Sequence, residues 1–257
     1  MPGRKILSIA LTTYREAIRN RILFTIVAFS LLIIVASYFA GQLSVHENLK
    51  IIKDVGFSSL VIFGVAIAIF SGIGLLYKEE ERRTIYVLAS KPIRRSEILL
   101  GKYAGLALVL LLLFSVMTAV FLLTLVLYGG TIEAHLFKAL LLGLIEVFVV
   151  LAIALFFSSL SSPMLAALFT IGTYLVGHLL DDFSALATRT GNPAMRFLAD
   201  LLSSVLPRFD RFDVKLRVVH GLELIWTEVY YSALYGVVWI GIILLGACFL
   251  YHRKSFR

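Results

Sequence analysis

AGLALVLLLLFSVMTAVFLLTLVLY, residues 104–128, is an unbroken stretch without a single charged side chain. As a helix, a run of this length crosses about 30 Å of hydrocarbon while satisfying every backbone polar group internally. Tyr103 and Tyr128 flank it, where amphipathic rings settle at the membrane–water boundary. Five more runs share its character, at residues 22–43, 55–77, 139–160, 164–180 and 230–251, and Tyr38, Tyr77, Tyr230, Tyr231, Tyr251 and Trp226 lie near their ends. The chain of 257 residues is 60% hydrophobic and 16% charged, with a mean hydropathy of +0.95. A water-soluble domain of this size needs far more polar surface to cover its core. The expected fold is therefore an all-α integral membrane protein, a single domain over residues 1–257 with six transmembrane helices.

The remaining composition narrows the function. The net charge of +8 comes from Lys and Arg beside the apolar runs, where they set topology and touch anionic membrane lipids; no nucleic-acid partner is expected. Cys248 is the only cysteine, so an internal disulfide and zinc-ligand spacing are both excluded. The first apolar run starts only at Ile22 and is too long for a cleavable leader. With the N-terminus inside, the inner segments hold 15 of the 24 basic residues, and six of the other nine lie in one long outer loop. Both termini are then cytoplasmic, and the expected location is the cell (inner) membrane.

Three segments outside the runs carry information. Within residues 1–21, Ile6, Ala10, Tyr14, Ala17 and Ile18 recur at helical spacing, with Lys5, Arg15, Glu16 and Arg19 on other faces. That pattern suits a helix in the headgroup layer, and also a cytoplasmic extension of the first span. The outer loop, residues 181–229, should contain a helix capped by Asn192 and begun by Pro193, with Leu198, Leu201, Leu202, Val205 and Leu206 in one stripe and Arg196 paired to Asp200. After it, Phe212, Val214, Leu216 and Val218 alternate with Asp213, Lys215 and Arg217, a weak extended signal.

The segment from Glu79 to Ser90 is the most informative. Glu79, Glu80 and Glu81 would open a short helix, where its dipole favours negative charge; Ile85, Leu88 and Ala89 share a face, and Pro92 stops it. Ser96 and Glu97 restart a helix as cap and first-turn acid. An apolar face on a short cytoplasmic helix suits a docking element, and a solvated connector fits the same residues. Within the spans, Glu146 is the one clear ionisable exception; a charge at mid-bilayer costs about 2.5–3.5 kcal/mol, so it should face protein or water. A pathway or proton-coupling role and a hydrogen bond to a neighbouring helix both fit. The hydrogen bond is the expectation, because the sequence offers no obvious charged partner in another span.

The run Tyr77-Lys78-Glu79-Glu80-Glu81-Arg82-Arg83-Thr84-Ile85-Tyr86-Val87-Leu88, followed by Lys91-Pro92-Ile93-Arg94-Arg95-Ser96-Glu97 and Gly101-Lys102, resembles the first cytoplasmic loop of ABC type-2 transporter permeases. The Ser-rich turn ending in Ser162-Pro163-Met164, and the outer loop with Leu206-Pro207 and Phe209 to Phe212, fit the same pattern, and the resemblance extends over essentially the whole chain. It implies two permease subunits, identical or related, joined to two separate ABC ATPase subunits. Residues 79–90, with Glu79, Glu80, Glu81, Arg82, Arg83, Thr84, Ile85 and Leu88, would be the coupling helix, residues 1–21 the interfacial elbow helix, and residues 158–163 a second, smaller contact. Export is the implied direction, and no substrate is implied. No catalytic, cofactor or metal residue is expected on this chain, with ATP and Mg on the partner ATPase. Gly101-Lys102 lacks the preceding glycine and following hydroxyl of a phosphate-cradling loop.

Two rivals were weighed. An ATPase-independent secondary transporter or channel would want polar groups or broken helices at the midplane; Gly64, Gly72 and Gly74 in span two and Gly172 and Gly177 in span five soften helices but also permit close packing, the expected use. An intramembrane metalloprotease would need a Glu pair with Arg four residues on and later histidines within spans. Arg83 is three beyond Glu80, and His178 is the only one of five histidines well inside a span.

Overall fold

The computed structural model describes residues 2–43, 48–81 and 95–253. These form nine helices: α1 (Pro2–Ala17), α2 (Arg21–Leu43), α3 (Asn48–Glu81), α4 (Arg95–Leu127), α5 (Ala134–Leu160), α6 (Pro163–Thr190), α7 (Pro193–Val205), α8 (Lys215–Val219) and α9 (Trp226–Arg253). Six of them, α2 to α6 and α9, are long and apolar enough to cross a membrane, and no strand occurs among the described residues. The protein is an all-helical, multi-pass membrane protein.

Helix α5 is the hub, packed against α3, α9, α6 and α4. From Val149 to Leu155 its side chains are almost wholly enclosed. That enclosure explains why this stretch is apolar on every face. Helices α2, α6 and α9 instead present large apolar side chains outward, such as Leu32, Leu168 and Leu245, as lipid-facing helices must. Close approach of α3 to α5 depends on small residues. A Cβ on Gly64 would lie 2.8 Å from Val147, and one on Gly72 would lie 2.9 Å from Ala154. The packing use expected of these glycines is found there, whereas Gly74 and Gly172 have nothing within 4 Å.

The N-terminal helix ends in a turn over Ile18 to Asn20, and the Asn20 side chain accepts the Ile22 amide at 3.1 Å to open α2. Helix α1 is thus separate from span one and not a straight extension of it. Its expected apolar face, with Ala10 and Ala17 buried, lies on the start of α4. Gly105 makes that seat possible: its Cβ would stand 2.5 Å from the Ala10 carbonyl.

Several boundaries differ from the sequence reading. Helix α3 continues through Glu81, so Glu79 to Glu81 extend a helix begun at Asn48 and do not open a separate one with the favourable dipole end. The other expected coupling residues, Arg82, Arg83, Thr84, Ile85 and Leu88, lie outside the described residues. Helix α6 runs ten residues past Leu180, with Ser184 and Thr188 hydroxyls bonded to carbonyls four residues back, and stops at Gly191 in the left-handed region at φ +65°. The outer segment therefore begins as helix, not loop.

Asn192 caps α7 as expected, accepting the Ala194 amide at 3.0 Å, and Pro193 occupies its first turn. Of the apolar stripe, Leu198, Leu201 and Val205 are exposed, and Leu202 and Leu206 are half-buried. Arg196 donates to the Thr188 carbonyl at 3.3 Å, and no Arg196–Asp200 ion pair forms among the described residues. The alternation from Phe212 to Val218 is not a strand. Turn bonds from Phe212 and Asp213 back to Phe209 and Asp210 lead into helix α8, and no strand to pair with occurs among the described residues.

Candidate functional site

Residues 206–214 connect α7 to α8 by dipping into the bundle. Read in sequence, Arg208-Phe209-Asp210-Arg211-Phe212-Asp213 looks wet, yet the rings of Phe209 and Phe212 are completely enclosed. The Phe209 amide donates to the Gly177 carbonyl at 3.2 Å, and a Cβ on Gly177 would fall 2.5 Å from the Phe209 ring and 2.6 Å from the Pro207 carbonyl. Glycine at 177 thus opens a notch in α6 for this plug. Two contacts to α9 hold its far side: the Tyr235 hydroxyl accepts the Arg208 amide at 2.9 Å, and the Arg211 guanidinium lies 4.6 Å from the Tyr235 ring centre.

Beneath the plug lies Glu146. Helix α5 places it near mid-span with 2% of its surface exposed. Tyr174 on α6 donates its hydroxyl to Glu146 Oε1 at 3.0 Å, the expected bond to a neighbouring helix. One turn along α6, His178 brings Nε2 to 3.5 Å from the same oxygen. His178 Nδ1 stands 3.3 Å from the Tyr174 carbonyl. A carbonyl can only accept, so the tautomer that makes this bond carries its hydrogen on Nδ1 and leaves Nε2 to face Glu146.

A cavity of about 130 Å³ adjoins the pair, lined by Ser58 and Ile62 of α3, Glu146, Tyr174, His178, and Asp213 and Lys215 from the loop. Lys215 Nζ spans its mouth, 3.1 Å from Asp54 Oδ1 and 3.2 Å from Ser58 Oγ. No cluster of three or more His, Cys, Asp or Glu side chains able to hold a metal occurs among the described residues. What the site offers is a buried carboxyl, a phenol, an imidazole and a route to charged groups at the loop end.

A second acidic pair sits above it. Burial and the adjoining Asp181 carboxyl push Asp210 up to about 7, against the pull of Arg208, whose guanidinium lies 3.6 Å from Asp181.

Of the site residues expected from sequence, Glu146 alone falls among side chains the structure describes. Tyr174, Asp213 and Lys215 carry no mark of a site in the sequence, and His178 stands there as an isolated histidine. Gly177 beside His178 and the aromatic–acidic run 209–213 were the available hints.

A bundle of six membrane-crossing helices with a polar chamber plugged by its own loop defines the class: a polytopic membrane protein of the transport type. More particularly, the chain belongs to the ABC-2 family, since the family described as ABC-2 family transporter protein matches residues 7–255. It is accordingly the membrane permease of an ABC transporter. No individual curated protein matches the chain closely enough to extend that assignment.

Proposed function

We propose that this permease is driven by a separate ATPase subunit and exports its substrate, working as a pair with a second permease chain. The observation that carries the reading is the family match over 249 of the 257 residues, from 7 to 255, on a chain without a phosphate-cradling loop. The ATPase, holding ATP and Mg, would receive residues 79–90, with Ile85 and Leu88 as the apolar contacts and the turn 158–163 as a smaller second contact. Charge asymmetry supports an inner-membrane orientation with both termini and that segment in the cytoplasm. Helix α1, seated on α4 and ending in a sharp turn, suits the interfacial elbow role.

The experiment is purification of the tagged chain from its own cells in mild detergent. The expected result is recovery of an ABC ATPase with the wild-type chain and its loss from Ile85→Asp/Leu88→Asp, with insertion unchanged. Recovery of the ATPase undiminished by the double substitution would remove the docking role. Transport by the purified chain with no ATPase present would favour the secondary-transporter rival.

A further inference from the structure

We propose that Glu146 and His178 form a binding site for one proton, filled from the side of the membrane that carries the long loop, and that this proton keeps the 207–212 plug seated. The inference does not rest on the ATPase partnership.

The count of hydrogens carries it. Nδ1 of His178 is committed to the Tyr174 carbonyl, and the Tyr174 hydroxyl hydrogen points into Glu146 Oε1. Between Nε2 and Oε1, 3.5 Å apart, no hydrogen is then supplied by any fixed donor. With one proton the pair is neutral overall, as carboxylic acid with imidazole or as carboxylate with imidazolium. Without it, a lone pair faces a carboxylate that is only 2% exposed, which is the costly arrangement.

Among the described residues lining the cavity, Lys215 is the one Lys or Arg. On α6 the facing groups are Tyr174 and His178; from the loop comes Asp213, a like charge; from α8 comes Lys215, already engaged by Asp54 of α3. Helix α4 presents Phe114 toward this part of α5, and α9 presents Tyr235, which packs on Phe212. A proton is the ligand the site can take. The cavity is large enough for about four waters at roughly 30 Å³ each, and it gives onto Lys215 and Asp54 at the loop end, the path by which the proton arrives.

The plug reads the site's occupancy through direct contacts. Phe209 stacks on the His178 ring, and its amide bonds the carbonyl of the residue before it. When the proton leaves, the charge left beneath Phe209 draws water from the cavity toward His178, and the seat of Phe209 on that ring is weakened.

The test is hydrogen–deuterium exchange of the 207–212 segment in the full-length protein in lipid nanodiscs, from about pH 5 to about pH 9, corrected for intrinsic exchange. An Asp210→Asn chain silences the second acidic pair of the plug. In that background, protection should fall roughly tenfold per pH unit above the midpoint, the slope of one proton. Glu146→Gln, whose amide both accepts from Tyr174 and donates to Nε2, should hold the segment protected throughout. A flat profile with Glu146 intact, or a slope that survives Glu146→Gln, overturns the proposal. If Asp210→Asn does not fold, the wild-type chain against Glu146→Gln gives the same comparison.

Discussion

The ring of Phe209 lies 3° from parallel to the imidazole of His178, with centroids 5.5 Å apart, so a residue of the long loop caps a half-buried histidine on a membrane helix. The contact joins two parts of the chain 31 positions apart. It depends on the notch at Gly177 and on the buried acid beneath.

Gly177→Ala should unseat the plug. The added methyl would meet the Pro207 carbonyl at 2.6 Å, and a backbone atom cannot swing aside as a side chain can. Overpacking of this kind costs about 1–3 kcal/mol. A lower Tm and faster exchange over residues 207–212, with helices α2 to α4 unaffected, are expected.

Gly105→Ala should loosen the N-terminal helix in the same way, because its methyl would stand 2.5 Å from the Ala10 carbonyl. The protein should still insert. Limited proteolysis after Arg15 or Arg19 should accelerate, and an unchanged cleavage rate would mean that α1 is held by other contacts.

Tyr174→Phe should destabilise by about 1–3 kcal/mol, the cost of removing one partner from a buried polar group. Replacing both partners, as Tyr174→Phe with Glu146→Leu, should cost less than the sum of the two single changes. Urea or thermal unfolding of the four proteins completes the cycle. Additive losses would show that the two groups do not interact.

The Asp210 carboxyl gives stability a pH dependence. Its folded value, about 7, lies above the ordinary 3.8, so between these values the folded state holds a proton that the unfolded state has released. Its contribution is fully present below the ordinary value, declines as pH rises and is gone above about 7. The Tm should therefore drop from pH 5 to pH 8, and Asp210→Asn should flatten that drop.

The six spans were legible because lipid imposes its demand locally: each run, such as 104–128, must be apolar along its whole length wherever its neighbours lie. The capped start of α7 was legible for the same reason, since Asn192 and Pro193 act within one turn. The plug was not legible. Arg208, Asp210 and Arg211 give it the look of a surface loop, and only the notch at Gly177 and the Tyr235 hydroxyl make burial of Phe209 and Phe212 favourable. Alternation between Phe212 and Val218 mimics a strand over helix α8, and among the described residues there is no strand to pair with it. Glu146 stood out by its chemistry alone. Its partners Tyr174 and His178 are 28 and 32 positions away on the next helix, and no spacing rule connects residues across a helix pair.

In the proposed assembly the loop after span two meets an ATPase while the long loop faces the opposite side. A single cysteine in a Cys248→Ala chain tests it, placed at Leu88 or at the exposed Leu216 of α8 and cross-linked in intact membranes with a short thiol–amine reagent. The account predicts an adduct of permease and ATPase from position 88 and none from position 216. An ATPase adduct from position 216 with none from position 88 would contradict it.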